Sequence, residues 1–348
     1  MVRFIGLDGH SKSCTLVVLD EKGEVKNKVV VETNGHALVE FVKTIPGIRH
    51  LCIEEGTQSR WLREILSAHV DDLAIVMGRK NPGNKSDYRD AYGLANRMRL
   101  GDLGHRICKP DHSLAALRDL VRGYEMINAD LVRVKNRIRY FYRARGVPME
   151  ACGCPGCGHP DGCTQPGLHQ AVERLRKEQE SLEVLKQEAH KDMVTEAQRH
   201  PIYRIVQTAP GIGPVRSAEL LAIVITAHRF RTSRQFWAYC GLAVVQRSSS
   251  DWVRGPNGQL ARTQLIQTRG LNYNFNRHAK AIFKGAAMTV ITSMPNHPLR
   301  ADYDRLVANG TKPNLARVTV ARKIAAIVLA MWKNQEVYDP ERHRTKPE

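Results

Sequence analysis

Two aspartates three positions apart, Asp87 and Asp90, have a spacing that indicates metal chemistry. They lie in the stretch NKSDYRDAYG, and if a helix begins there, both carboxylates project from one face. Carboxylate oxygens are the ligands that Mg²⁺ prefers, and two such ions can hold the attacking and leaving oxygens of a phosphate displacement. The alternative is a solvated helix start whose acids complement the helix dipole.

Further acids follow predicted strands earlier in the chain. Asp8 ends the run RFIGLD, and Glu54 and Glu55 follow the short segment HLCI. Because strand ends can meet at one edge of a sheet, Asp8 and one of the two glutamates are predicted to converge there with Asp87 and Asp90. Each acid alone also fits a structural role, since Asp8 could end a strand and the glutamates could cap a helix.

The elements that would position these acids form an α/β pattern over the first 110 residues. Apolar periodicity and turn residues predict three strands, a helix, a strand, a helix, a strand and a helix. The predicted strands are Arg3–Asp8, Cys14–Leu19, Val25–Val31, His50–Ile53 and Asp72–Met77. The predicted helices are Gly35–Thr44, Ser59–Val70 and the one that carries Asp87 and Asp90.

The composition favours a polyanionic partner. The 348 residues include 53 Lys and Arg against 35 Asp and Glu, a net charge of +18, although a merely basic protein would show the same balance. We expect no membrane span and no signal peptide. Eight cysteines, four of them clustered, do not indicate a disulfide scaffold and favour a reducing, cytosolic compartment.

A long amphipathic helix is predicted after residue 110. Eight apolar residues recur at spacings of three and four, as in a coiled-coil seam: Leu117, Leu120, Tyr124, Ile127, Leu131, Val134, Ile138 and Phe141. The second half of this helix is basic and has no acid after Asp130. We predict a track for nucleic-acid backbone there, with a solvated face as the alternative, formed by Arg133, Lys135, Arg137, Arg139, Arg143 and Arg145.

A second long helix is predicted over residues 170–199, with a heptad at Val172, Leu175, Leu182, Ala189 and Met193. The two helices are predicted to form a hairpin with a cysteine-rich tip at 150–165. This Gly/Pro-rich tip could bind structural Zn²⁺, although its spacing matches no standard zinc finger. The alternative is a flexible insert with reduced thiols; the candidate ligands are Cys152, Cys154, Cys157, His159 and Cys163.

The last part of the chain carries two further candidate contacts with nucleic acid. The sequence PGIGP, with Gly211 and Gly213, resembles a helix-hairpin-helix element whose backbone N–H groups meet a phosphate. A serine triplet at 248–250 indicates a loop by composition. No acid occurs between Asp251 and Asp302, which suits phosphate binding by Arg254, Arg262, Arg269 and Arg277.

Three N-terminal motifs resemble the transposases of the IS110 family. They are G-L-D-x-H at 6–10, E-G-T at 55–57 with Trp61 downstream, and K-S-D-x-x-D-A at 85–91. The resemblance implies an RNase H-fold, RuvC-like domain in which a D-E-D-D tetrad binds metal. The residues that match the tetrad are Asp8, Glu55, Asp87 and Asp90, and the family's E-A-T-G motif aligns Glu55 better than Glu54.

The C-terminal part resembles the same family. Gly241-Leu242 begins a motif that usually reads G-L-x-P-x-x-x-S-S-G, and residues 270–272 and 320–325 also match. The resemblance implies a serine nucleophile that forms a phosphoserine link to DNA, and Ser249 aligns best with it. Val244 replaces the usual proline and Ser250 the usual glycine, so that Ser248 and Ser250 stay open as alternatives.

The resemblance also implies a cofactor, partners and a cell type. It implies Mg²⁺ at a two-metal site, and DNA of the element ends and of the target. It further implies a structured bridge RNA from the same element as a guide, and assembly into a dimer or tetramer. The implied location is the cytoplasm of a bacterium or archaeon, in association with the nucleoid.

The predicted fold class is α/β followed by α. We predict a RuvC-like domain at 1–108, a coiled-coil helical hairpin at 109–200 and a mostly α-helical domain at 201–348 with a helix-hairpin-helix-like element. The predicted function is a DNA transposase or recombinase with a serine–phosphodiester intermediate. Three alternatives stay open: a DNA invertase, a water-using nuclease of the Holliday-junction type, and a non-catalytic nucleic-acid-binding protein.

Overall fold

The computed structural model describes residues 1–78, 86–104, 106–107, 114–144, 166–249, 252–256, 258–262, 266–271 and 274–341. The chain forms two compact units, Met1–Pro110 and Asp111–Glu348. The third boundary, predicted at residue 200, stays a prediction. The core of the second unit contains residues from both sides of that position, such as Met193 and Tyr203.

A five-stranded sheet organises the first unit. Its strands are β1 (Val2–Gly9), β2 (Ser13–Leu19), β3 (Val25–Glu32), β4 (Ile48–Glu54) and β5 (Asp72–Val76). The order across the sheet is β3-β2-β1-β4-β5. The first three strands are antiparallel neighbours, whereas β1, β4 and β5 run parallel. This mixed sheet is consistent with the predicted RNase H, RuvC-like fold.

Three helices cover the sheet in the predicted order. They are α1 (Gly35–Thr44), α2 (Ser59–Leu66) and α3 (Asp87–Leu100). The helix predicted to run to Val70 ends sooner, because a 3-10 turn over Ser67–His69 follows α2 and Val70 is extended. Helix α3 begins at Asp87 and ends at Leu100, and the next residue, Gly101, closes it in a left-handed conformation with a φ of 68°.

Successive strand residues face opposite sides of the sheet, so that β1 contributes to two apolar layers. Leu7 packs in the layer that contains α1 and α2. Gly6 lies under α3: a Cβ atom there would stand 1.9 Å from the carbonyl oxygen of Ala91 and 2.5 Å from the amide nitrogen of Ala95. Helix α3 therefore packs directly on the β1 backbone, and the next residue of β1 on this side is Asp8.

The second unit begins with two long helices, α4 (Ala115–Arg143) and α5 (Pro166–Gln198). They pack antiparallel, since Arg176 donates to the Tyr142 hydroxyl at 3.0 Å and Lys186 donates to Asn128 at 2.8 Å. This arrangement agrees with the predicted hairpin, while a coiled coil in the strict sense stays a prediction.

The buried face of α4 differs from the predicted seam at several positions. Four of the eight predicted positions are buried: Leu117, Leu131, Val134 and Ile138. Val121 and Tyr142 are also buried, whereas the other four predicted positions are only partly buried: Leu120, Tyr124, Ile127 and Phe141. The reason is that a helix of 3.6 residues per turn drifts relative to a strict seven-residue repeat.

Further helices complete the second unit. They are α6 (Pro201–Gln207), α7 (Pro214–Val224), α8 (Ser233–Tyr239), α9 (Arg277–Ser293), α10 (Pro298–Ala308) and α11 (Pro313–Asn334). They bury one large core whose fully enclosed aromatic side chains include Tyr203, Phe236 and Phe283. A helical C-terminal region after a mixed α/β sheet was predicted and is confirmed.

Two small antiparallel sheets interrupt this helical region. Strand β6 (Val244–Ser249) pairs with β9 (Ile266–Leu271), and β7 (Trp252–Arg254) pairs with β8 (Leu260–Arg262). The expectation that the serine triplet lies in a loop is therefore wrong for Ser248 and Ser249, which end a paired strand. Backbone pairing with β9 outweighs the loop preference of a serine cluster.

Within the described ranges, no helix combines the length and apolar character that crossing a membrane requires. Cys14, Cys52 and Cys240 are buried free thiols that belong to the apolar cores.

Candidate active site

The candidate active site begins where the two central strands of the first unit end. β1 and β4 run parallel with Leu7 opposite Ile53, so that the next residues on the two strands are Asp8 and Glu54. A cavity of about 160 Å³ opens at this edge. Its acidic lining consists of Asp8, Glu54, Glu55 and Asp90, and we call it the acidic cavity.

Glu54 and Glu55 both line the acidic cavity, but they are held differently. Glu54 still belongs to β4 and lies close to Gly78, where a Cβ atom would stand 2.0 Å from Oε1 of Glu54. Glu55 follows the strand; its amide donates to the Val76 carbonyl at 2.8 Å, and its carboxylate accepts from the Ser59 hydroxyl at 3.1 Å. The choice between the two glutamates stays a prediction in favour of Glu55.

The first turn of α3 contributes the two aspartates at different places. Asp90 lines the acidic cavity. Asp87, which is largely exposed, instead contacts His10: its Oδ1 is 3.3 Å from Nε2 of His10. The same nitrogen is 3.3 Å from Oδ2 of Asp8, whose side chain is only 13% exposed. The predicted convergence thus brings Asp8, Asp90 and both glutamates around the cavity and joins Asp87 to Asp8 through His10.

His10 was not among the residues singled out from the sequence. The signal that could have found it is its position two residues after Asp8, in the G-L-D-x-H motif. It directly follows β1, so that its side chain can reach the same edge of the sheet.

The donor set of this site fits a hard divalent cation. The acidic cavity offers carboxylate oxygens on two strand ends and one helix, which is the ligand type that Mg²⁺ takes. The atoms of Asp8, His10 and Asp87 also lie within 4.8 Å of one another. The five candidate Zn²⁺ ligands cannot be compared in the same way, because they lie outside the described residues: Cys152, Cys154, Cys157, His159 and Cys163.

The candidate nucleophile belongs to the second unit. The backbone of Ser249 ends β6 and pairs with Ile266, and Ser248 pairs with Gln267. Ser250 lies outside the described residues, as do the side chains of Ser248 and Ser249. Of the predicted phosphate-binding arginines, Arg254 and Arg277 are exposed, whereas the side chains of Arg262 and Arg269 lie outside the described set.

The predicted basic track on α4 is partly neutralised by neighbouring acids. Arg133 pairs with Asp130 on the same helix. Helix α5 supplies two further acids, since Lys135 is 3.0 Å from Glu183 and Arg137 is 3.9 Å from Glu178. Arg139 donates to Asn136, and Arg143 is exposed. Exposed ion pairs contribute little and can exchange for phosphate, so nucleic-acid binding by this face stays a prediction.

The two glycines of PGIGP have different roles. Gly211 has a φ of 70°, and a Cβ atom there would stand 2.4 Å from the carbonyl oxygen of Ala286, so that packing against α9 requires glycine. Gly213 is the N-cap of α7, with open space where a Cβ would be. Packing thus accounts for Gly211, and the contact of Gly213 with a phosphate stays a prediction.

A second cluster of ionisable side chains lies in the second unit and was missed from the sequence. His278 of α9 is 2.9 Å from Glu125 of α4 and 3.5 Å from Glu219 of α7. Hydrogen bonds that the imidazole donates to the carboxylates of Glu125 and then Glu219 raise the pKa of His278 to about 10. The available signal is Glu219 itself, the only acid in the otherwise apolar run SAELLAIV.

Comparisons with known proteins cover both regions just described. A family model described as "Transposase", for the DEDD domain of IS110 enzymes, matches residues 5–142. A second, described as "Transposase IS116/IS110/IS902 family", matches residues 203–304. This chain belongs to the IS116/IS110/IS902 transposase family. The resemblance predicted from the motifs is confirmed, and so is the prediction of a transposase-type enzyme.

Curated members of this group are distant relatives of the chain. The transposase for insertion sequence element IS1533 of Leptospira borgpetersenii is 26% identical over 155 residues, 42% of this chain and 45% of the relative. The insertion element IS116 uncharacterized 44.8 kDa protein of Streptomyces clavuligerus is 23% identical over 399 aligned residues, which cover 97% of this chain and 96% of the relative. The insertion element IS110 uncharacterized 43.6 kDa protein of Streptomyces coelicolor is 26% identical over 186 residues, which cover 53% of this chain and 40% of the relative. The chain thus matches less than half of the first and third relatives and nearly all of the second.

Proposed function

We propose that this chain is a DNA transposase that cuts and rejoins the DNA of an insertion element through a metal-assisted serine–phosphodiester intermediate. The observation that carries the proposal is the acidic cavity, where carboxylates from two strand ends and from the first turn of α3 surround one space of about 160 Å³. A family whose N-terminal domain carries this tetrad, and whose C-terminal domain matches residues 203–304, provides the context.

The acids of the first unit would hold Mg²⁺. The proposed ligands are Asp8, Glu55 or its neighbour Glu54, Asp90 and Asp87. When bound, the cation would neutralise negative charge that develops on the phosphate during strand cleavage. The chain fixes these carboxylates on rigid elements. Strands β1 and β4 are part of the sheet, and helix α3 packs against it.

Ser249 is the proposed nucleophile. Its Oγ attacks the phosphorus of the scissile phosphodiester, the phosphorus–O3′ bond breaks, and the released 3′-oxygen takes up a proton. The broken strand is then held as a phosphoserine ester. A DNA 3′-hydroxyl attacks that ester in the second step, which forms the new junction and returns the serine hydroxyl.

DNA and an element-encoded RNA are the proposed partners. The net charge of +18, and the exposed Arg254 and Arg277 in a segment without acids, support a polyanionic partner. Guidance by a bridge RNA and inversion in place of transposition both rest on the family resemblance, and the experiment below is performed with and without the RNA.

A second candidate is a metal-dependent nuclease that uses water. One observation favours it: the carboxylates around the acidic cavity all belong to the first unit, and attack by water needs no further nucleophile from the protein. Such an enzyme would cut DNA with no covalent intermediate.

Trapping of the protein–DNA intermediate tests the proposal. The full chain is incubated with Mg²⁺ and end-labelled junction DNA, with and without the element RNA, and then denatured and separated by electrophoresis. We expect labelled protein from the native chain and from Glu40→Gln, an acid of the first unit on the exposed side of α1. We expect none from Ser249→Ala or Asp87→Asn.

The other outcomes distinguish the alternatives. An adduct that survives Ser249→Ala but disappears in Ser248→Ala or Ser250→Ala moves the nucleophile to that serine. Cleavage without an adduct in any of these proteins supports the water-using nuclease. Binding of DNA with neither cleavage nor adduct, by a chain whose fold is intact by circular dichroism, contradicts both enzymatic proposals.

A further inference from the structure

Three side chains of the first unit bring metal-binding atoms together next to the acidic cavity. Nε2 of His10 is 3.3 Å from Oδ2 of Asp8 and 3.3 Å from Oδ1 of Asp87. All three atoms lie within 4.8 Å of one another. Asp8 also lines the acidic cavity, so the histidine shares a carboxylate with the proposed Mg²⁺ ligands.

The backbone of His10 is held by the strands on its far side. Its amide donates to the Ser13 carbonyl at 3.0 Å, and its carbonyl accepts from the Thr33 hydroxyl at 2.7 Å. Ser13 begins β2, and Thr33 directly follows β3. These two hydrogen bonds fix the backbone of the turn after β1. The imidazole of His10 therefore projects from a fixed backbone position toward Asp8 and Asp87.

The spacing of these atoms suits a shared cation. Neighbouring ligands of a six-coordinate ion bound at about 2.1–2.2 Å are separated by about 3 Å. The two contacts of 3.3 Å are close to that value. The site is also accessible, since the side chains of His10 and Asp87 are 45% and 57% exposed.

We propose that His10 supplies a nitrogen ligand to the metal site of this transposase and makes the site select Mn²⁺ over Mg²⁺. Imidazole nitrogen binds first-row transition metals more strongly than Mg²⁺, which prefers oxygen. A site of carboxylates alone would discriminate less between the two ions. This inference rests on the proposed metal-assisted function, because it assigns a role at the same site.

Electron paramagnetic resonance of bound Mn²⁺ tests the assignment without measuring activity. The full chain is titrated with Mn²⁺ in mildly alkaline buffer, and binding is followed by the loss of the free-ion signal. Electron spin-echo modulation then shows whether a ¹⁴N nucleus is coordinated. We expect ¹⁴N coupling in the native chain, its loss in His10→Asn, and an Mn²⁺ affinity that is about tenfold weaker in this variant. We expect the Mg²⁺ affinity, measured by competition, to change less than about threefold.

Two other histidines serve as matched controls. His50 lies in the same sheet, with Nδ1 4.0 Å from Oδ2 of Asp72, and His50→Asn should retain the ¹⁴N coupling. His278 belongs to the other candidate metal group of the described residues, with Glu125 and Glu219, so that His278→Asn shows whether any coupling comes from there.

The remaining outcomes separate this inference from the proposed function. Mn²⁺ that binds, is released by Asp8→Asn, and shows no ¹⁴N coupling overturns the role of His10 and leaves the acidic metal site intact. Coupling that persists in His10→Asn and disappears in His278→Asn also overturns it. A native chain that binds neither Mn²⁺ nor Mg²⁺ contradicts the metal-assisted function itself.

Discussion

At the residue scale, the position of Asp8 relative to Asp90 depends on a glycine. Gly6 allows the backbone of α3 to lie against β1, and Asp8 is the next residue of β1 on that side. Asp90 lies one residue before Ala91, whose carbonyl oxygen would clash with a Cβ atom on Gly6. A side chain at Gly6 would therefore displace the helix that carries Asp90, one of the four acids of the acidic cavity.

Gly6→Ala tests this contact. We expect it to lower the free energy of unfolding of the first unit by about 1–3 kcal/mol, because a methyl group forced against backbone atoms cannot be accommodated by a side-chain rotation. Hydrogen–deuterium exchange of peptides from β1 and α3 over a urea series, followed by mass spectrometry, gives a measurement that belongs to this unit alone. The same variant should bind Mn²⁺ more weakly.

Gly93→Ala is the matched control on the same helix. Gly93 lies within α3, and a Cβ atom there meets nothing within 4 Å. Alanine should stabilise the helix by about 0.5–1 kcal/mol. Equal destabilisation by both substitutions would show that the close approach at Gly6 is not what limits this unit.

At the scale of elements, the cluster of His278, Glu125 and Glu219 links three helices of the second unit. Glu125 lies on α4, Glu219 on α7 and His278 in the first turn of α9. A positive charge at a helix start is unfavourable, and the two carboxylates compensate for it. Because Glu219 is only 9% exposed, the loss of its partner would leave a carboxylate poorly solvated.

His278→Gln should destabilise the second unit in a pH-dependent way. The folded pKa is raised to about 10 from an ordinary value of 6.5. The contribution to stability is therefore complete below pH 6.5 and is lost as the pH rises through about 10. At neutral pH we expect a loss of about 2 kcal/mol, less than for a fully buried pair, because the His278 side chain is 32% exposed.

Denaturation of the native chain and the variant at several pH values measures this effect. Three of the four tryptophans, at 237, 252 and 332, belong to the second unit, so that fluorescence reports mainly on it. The difference between the two proteins should shrink as the pH approaches about 10. His228→Gln, at an exposed histidine of the same unit, should change stability little; a constant difference across the pH range would contradict the role of the His278 charge.

At the scale of the whole molecule, the proposed chemistry needs groups from both compact units. The metal-binding acids lie between residues 8 and 90, and Ser249 lies in the second unit. Such a site can be completed within one chain or between two copies of it. We favour completion between copies, because cleavage would then require assembly of the complex.

Mixed dimers distinguish the two arrangements. Asp87→Ala and Ser249→Ala subunits carrying different tags are co-expressed and the mixed species is purified by both tags. If the site forms between subunits, one of its two sites is intact, and we expect about half of the native adduct formation. A site within one chain predicts none. A mixed dimer of native and doubly substituted subunits should give the reverse pattern: no adduct if the site forms between subunits, and about half of the native adduct if it forms within one chain.

Local sequence patterns were sufficient to predict most elements of the first unit. Alternation of apolar residues indicated the five strands, and the acids at the ends of β1 and β4 were recognisable as strand termini. A helix that carries Asp87 and Asp90 was also predicted, and α3 begins at Asp87. The motifs also indicated the transposase family, because they preserve residue types that chemistry requires at set spacings.

Other features depended on contacts that no local pattern contains. His10 and Asp87 are 77 positions apart in sequence and approach each other only because β1 and α3 meet over Gly6. The acids that pair with Lys135 and Arg137 come from α5, so that α4 alone seemed more basic than its surface is. The strand at Ser248 and Ser249 required β9 as a partner.

The sequence by itself thus determined the residue types, the order of the elements and the family of this protein. Only the tertiary structure decided which charges meet: Asp8 with His10, and His278 with Glu125 and Glu219. The physical reason is that periodicity and turn chemistry act over a few neighbouring residues, whereas the partner of a charged group is set by packing between distant elements.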